Sequence, residues 1–285
     1  MSAALLVFGY TLAVAWSVPV LLSRLTRQGI SARLGLAAWL AAMASVLASA
    51  VAAVVYRSAV FEFALGLVAI AAALALAVLA WRYGRNVQRA QQRARAHAEA
   101  ARITGRRLPG GGSAVVLDAA RPAAYCVPGR PAAIVLTSGA LAVLDPRQLT
   151  AVLAHERAHL AGRHHLLIVL TRGLAAAFPG VPLFTRGPAE VARLAEMCAD
   201  DTAARLSSRP TLVTALLAMG TGAAVPAAAL AAATCAVTAR VQRLLEPAPP
   251  ARHARNRLAL IAVMVLLALA SALITRFAGP LTALG

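Results

Sequence analysis

The chain has 285 residues, 60% of them apolar and 13% charged, with a mean hydropathy of +0.74. Its 28 positive charges are all arginine, against ten acids, for a net charge of +18. A chain this apolar is excluded from the ordinary soluble class and reads as a membrane protein, and no direct nucleic-acid partner is expected despite the charge. Arginine gathered at the ends of apolar runs serves topology and binds anionic lipid headgroups.

Residues Met1 to Ser23 carry no charge and are long enough to cross a bilayer. Arginines follow this run (Arg24, Arg27, Arg33) rather than precede it, which argues for an N-out anchor over a cleaved signal peptide. A second uncharged run covers Leu34 to Tyr56 and a third Phe63 to Trp81. The segment from Arg82 to Arg107 is rich in Ala, Gln and Arg and is expected to continue as a helix into the cytoplasm. Leu108-Pro109-Gly110-Gly111-Gly112-Ser113 is a strong breaker that opens a new domain.

Three short runs then predict strands: Ala114–Leu117, Ala124–Val127 and Ala133–Thr137, with Pro128-Gly129-Arg130-Pro131 as the turn between the last two. The Tyr125–Val127 strand is the candidate edge for an extended peptide bound by strand addition, although plain scaffold is an equal reading. A helix follows. Asp145 is placed as its N-cap, Pro146 at its first position, Gln148 as capping-box partner and Gly162 as its stop.

Inside that helix lies His155-Glu156-Arg157-Ala158-His159. At 3.6 residues per turn the two imidazoles stand one above the other on one face. They can take two corners of a zinc tetrahedron, with Glu156 as general base toward the water the metal activates. Catalytic zinc wants three protein ligands, and Glu196 supplies the third from a downstream helix. Asp200, four residues on and on the same face, can accept the second N–H of a zinc-bound histidine. His164 and His165 fall beyond the helix stop and are read as interfacial. Cys126, Cys198 and Cys235 form no CxxC pair, which suits a reducing compartment. Cys198 is read as a small buried residue.

His155-Glu156-x-x-His159 together with Glu196-x-x-Ala199-Asp200 resembles the gluzincin pattern of integral-membrane metallopeptidases, related to the HtpX-type proteases. Within them the chain most resembles the BlaR/MecR-type family of signal-transducing peptidases. The resemblance implies that His155, His159 and Glu196 bind one zinc ion, that Glu156 is the catalytic base and that Asp200 supports a ligand from behind. It also implies a protein substrate, a cytoplasmic winged-helix repressor cleaved on signal. The chain ends soon after its last span without an outer penicillin-binding domain, so β-lactam sensing is not carried over.

The expected fold is a mainly α membrane protein of about four transmembrane helices with a cytoplasmic α+β gluzincin domain and a small sheet. Residues 1–81 hold three spans, 82–112 a basic linker helix, 113–257 the zinc metallopeptidase domain, and 258–285 the last span and a short outer tail. Both termini lie outside and the active site is cytoplasmic, because the positive-inside rule keeps the Arg24–Arg33 and Arg82–Arg107 segments in. The residues between His159 and Glu196 cannot cross the bilayer once, since both side chains must reach one metal. Two other functions compete: an HtpX-like quality-control protease of membrane proteins, and a non-catalytic scaffold that keeps zinc as structure.

Overall fold

A computed structural model describes residues 3–27, 31–58, 103–129, 131–220, 237–246 and 249–278, with residues 81, 83–85, 88–89, 92–93, 96 and 99–100 between them. The chain divides into two compact units, 1–86 with 168–194 and 249–285, and 87–167 with 195–248.

Among the described residues, the first unit contains three helices long and apolar enough to cross a membrane: α1 (Ala3–Thr26), α2 (Ala32–Ser58) and α9 (Pro250–Ala278). They pack on one another through small residues and hydroxyls. Tyr10 Oη lies 2.6 Å from Ser45 Oγ, which lies 2.9 Å from Ser271 Oγ, and the Thr11 hydroxyl donates to Ser49 Oγ at 2.9 Å. Such bonds tie helices together where lipid tails compete for every apolar contact. Phe8, Trp16, Leu266, Leu269 and Leu273 point outward, as a lipid-facing surface requires. The expected span at Phe63–Trp81 lies outside the described residues except for Trp81.

Helix α5 (His164–Ala177) is apolar but has only 14 residues. At 1.5 Å per residue it rises about 21 Å, too short for the ~30 Å hydrocarbon core. Helix α6 (Pro182–Leu206) follows after a short turn. On its own α5 is therefore too short to make a full crossing.

The second unit is built on a four-stranded mixed sheet of order β1-β2-β4-β3. Its strands are β1 (Arg106–Arg107), β2 (Ala114–Leu117), β3 (Ala124–Val127) and β4 (Ala133–Thr137). The three longer ones coincide with the runs expected from the sequence. β2 and β4 run parallel, while β1–β2 and β3–β4 are antiparallel. β3 is an outer strand, with Tyr125 paired to Val135 and Cys126 to Ile134. A short helix α3 (Ser138–Val143), capped by the Thr137 hydroxyl, leads into the motif helix α4 (Pro146–Ala161).

Helix α4 starts where the sequence places it. Asp145 Oδ1 accepts from the Arg147 and Gln148 amides at 2.7 and 2.9 Å, and Gln148 Oε1 accepts from the Asp145 amide at 2.9 Å. This reciprocal box satisfies amides that have no partner within the helix. The helix is then gripped on two sides. Val152 and Leu153 pack with Ile134 and Leu136 of the sheet, while Ala151 and Ala154 meet Ala203, Leu212, Val213 and Leu244. Leu212 and Val213 come from α7 (Arg209–Gly220), and Leu244 from α8, described over 237–245. Each buried leucine or valine contributes roughly 1.5–3 kcal/mol. Removing the box should weaken the start of α4 alone: Asp145→Ala should cost about 1 kcal/mol, read as a lower thermal midpoint of the purified protein.

Candidate metal centre

The helical period places His155 and His159 on one face of α4, and both are largely buried. Their Nε2 atoms lie 3.1 Å apart. Glu196 reaches them from α6, its Oε2 3.4 Å from His155 Nε2 and its Oε1 3.3 Å from His159 Nε2. One ligand atom from each of the three falls within 4.8 Å of the others. A tetrahedral zinc site with ligands about 2.0–2.1 Å from the metal has them about 3.3 Å apart. The donor set fits zinc in chemistry and in spacing.

The outer atoms of the cluster are engaged as well. His155 Nδ1 lies 3.1 Å from Asp200 Oδ1, a close ionic contact rather than an in-line hydrogen bond. Asp200 is wholly buried, and Arg240 of α8 clamps it with two donors, Nε to Oδ2 at 2.8 Å and Nη2 to Oδ1 at 2.6 Å. The same guanidinium reaches Glu196 Oε2 through Nη1 at 3.1 Å. One turn along, Arg243 pairs with Asp201 at 2.8 Å. The Nδ1 of His159 lies 2.9 Å from that of His164, which is buried.

The ionisation of these groups follows from the contacts. Burial works against the charged form of His155, but the Asp200 and Glu196 carboxylates outweigh it and hold its pKa at about 9. Burial also opposes the charged forms of Glu196 and Asp200. Hydrogen bonds from His155 and His159, with the charge of Arg240, override it for Glu196; Arg240 and His155 do so for Asp200, and both carboxyls sit below their usual range. Burial, then the positive field of His159, lowers His164 to about 4. Burial and the Glu156 carboxylate push the Cys126 thiol up to about 12. Glu156 itself is buried beside the metal face, on the side of β3.

The family model for peptidase family M48 matches residues 87–251. The chain belongs to peptidase family M48. Searches of curated proteins and of solved structures return no match. As an M48 member the chain is a metallopeptidase, and zinc is the metal of that family. The M48 match carries the activity; it does not carry the narrower likeness to the BlaR/MecR type. Among the described residues three apolar helices accompany the M48 region, two near the N-terminus and one toward the C-terminus, and they suggest membrane association.

All five residues singled out from the sequence, His155, Glu156, His159, Glu196 and Asp200, come together in one unit of the structure. Two participants were not foreseen. His164 is no interfacial residue: the chain turns back after Gly162 and buries its ring under His159. Its distance of five residues past His159, just beyond a helix stop, is the one signal that could have pointed to it. Arg240 lies forty residues beyond Asp200, and no local pattern marks it among 28 arginines. Arg193, three residues before Glu196 on α6, donates to Glu190 and Thr26. Tyr125 sits half-buried on β3.

The Asp200 clamp gives a direct stability test. Arg240→Met leaves a buried carboxylate short of its main partner and should cost about 3–5 kcal/mol. Replacing both, as Asp200→Asn with Arg240→Met, should recover much of that loss. Thermal melts of wild type, Arg240→Met and the double variant check it.

Proposed function

We propose that this M48 member is an integral-membrane zinc endopeptidase that hydrolyses peptide bonds at the cytoplasmic face of the membrane. The observation that carries this reading is the convergence of two imidazoles and a carboxylate at tetrahedral spacing, with a second carboxylate beside them. His155, His159 and Glu196 hold the metal. Bound zinc supplies Lewis acidity toward a scissile carbonyl and toward water. Glu156 takes the proton of the attacking water as its oxygen adds to the carbonyl carbon, then delivers that proton to the departing amine as the C–N bond breaks. Asp200 turns His155 so that Nε2 faces the metal, and Arg240 keeps Asp200 ionised.

Among the described residues three protein donors converge, which favours catalysis over a structural scaffold; structural zinc is usually closed by four. The Glu196 side chain is 40% exposed, so the centre is open to a substrate. β3 supports an extended one: it ends the sheet, and its Cys126 adjoins Glu156, so a strand added along β3 runs past the general base. The domain over 113–257 works in the cytoplasm, four spans anchor it, and both termini lie outside; arginine distribution supports this orientation. The substrate reading rests on resemblance alone: a winged-helix repressor cut on signal.

Glu156→Gln should keep zinc and lower peptide-bond hydrolysis by at least ~10²-fold, the usual contribution of a positioned general base. Comparative proteomics of cells carrying wild type or Glu156→Gln then identifies the substrate. A single accumulating repressor supports the signalling reading. Many accumulating membrane proteins replace it with quality control, and no change in any protein overturns the peptidase assignment.

A further inference from the structure

The turn after the motif helix carries three unusual features in three consecutive residues. Gly162 caps α4 with an ordinary right-handed backbone, φ −77° and ψ −4°, which any residue can adopt. A Cβ there would nonetheless collide with the ring of His164. Arg163 has φ 48°, the one positive φ outside glycine among the described residues. That conformation costs an arginine of order 1 kcal/mol and persists only where the surroundings enforce it. His164 then opens α5 with its ring 5% exposed, edge-on to His159 with centroids 4.8 Å apart, and Nδ1 facing Nδ1 at 2.9 Å.

Two nitrogens at that distance share one hydrogen, so one imidazole donates and the other accepts. His159 can ligate through Nε2 only if that atom keeps its lone pair, which puts the hydrogen of the neutral ring on Nδ1. His164 Nδ1 is then the acceptor, and its own hydrogen sits on Nε2. The opposite arrangement protonates His159 Nε2 and removes a ligand.

We propose that His164 is a positioning residue for the metal centre: its Nδ1 accepts from His159 and holds that ring in the tautomer and orientation that present Nε2 to the metal. The left-handed Arg163 and the bare Gly162 exist to seat it. The two imidazole ligands then have different supports, a carboxylate behind His155 and a neutral imidazole behind His159. This inference rests on the metal assignment made above and adds to it a role for a residue outside the ligand set.

The test is zinc affinity of the full chain in detergent, by competition with a chromophoric chelator, with Co²⁺ substitution as a spectroscopic readout. His164→Phe keeps the ring and loses the acceptor; it should weaken zinc about 10–100-fold, the usual effect of removing an outer-shell partner, and shift the Co²⁺ visible bands. His164→Asn places an oxygen near the position of Nδ1 and should stay within about threefold of wild type. Gly162→Ala, compatible with the backbone but not with the ring, should weaken zinc in the same direction as His164→Phe. Wild-type affinity in His164→Phe overturns the inference while leaving the metal site standing. Equal loss in His164→Phe and His164→Asn also overturns it, since packing rather than acceptance would then be at work. If His159→Ala binds zinc as wild type does, the metal assignment itself fails and this inference with it.

Discussion

A carboxylate with no exposure to solvent stays ionised only if other charges meet it, and Asp200 is such a group. Arg240 meets it with two short hydrogen bonds and His155 with an ionic contact. Desolvation of an unpaired carboxylate costs several kcal/mol, so this constellation must form as a unit or not at all. Its formation draws together α4, α6 and α8, and it places Glu196, one helical turn before Asp200, against the two imidazoles. The clustering of His155, His159 and Glu196 is thus a consequence of how one buried charge is neutralised.

The rest of the second unit makes that arrangement rigid. Helix α4 carries an apolar stripe to the sheet and a second, small-residue stripe to the helices, leaving the histidine face between them. Alanines on the second stripe permit the close approach that brings α8, and with it Arg240, to within hydrogen-bonding distance of Asp200. The glycine loop before β2 is tied back to α4 by Arg157, whose Nη2 donates to the Gly111 carbonyl at 3.2 Å. Catalysis by a metal and a general base depends on fixed positions, and here the backbone carrying Glu156, the proposed base, is held from the sheet, from the loop and from three helices.

Local pattern made much of this legible. The three longer strands, the capped start of α4, its stop at Gly162 and both four-residue spacings follow from periodicity and cap chemistry, which are properties of neighbouring residues. What was hidden depends on residues far apart. The parallel pairing of β2 with β4 and the two-residue strand β1 leave no trace in the alternation of apolar residues. Arg240 looked like one of many topogenic arginines, because its partner is forty residues away. His164 is hidden for a different reason: a glycine stop implies that the chain leaves, whereas the left-handed Arg163 turns it back.

The proposed centre holds one metal through nitrogen and oxygen, and X-ray absorption at the zinc edge of the zinc-loaded full chain measures that directly. Two imidazoles and a carboxylate predict nitrogen and oxygen scatterers at about 2.0–2.1 Å with the outer-shell signal of two imidazole rings. A sulfur scatterer at about 2.3 Å would place zinc on a cysteine, and a protein that retains no zinc would leave His155, His159 and Glu196 without the role assigned to them.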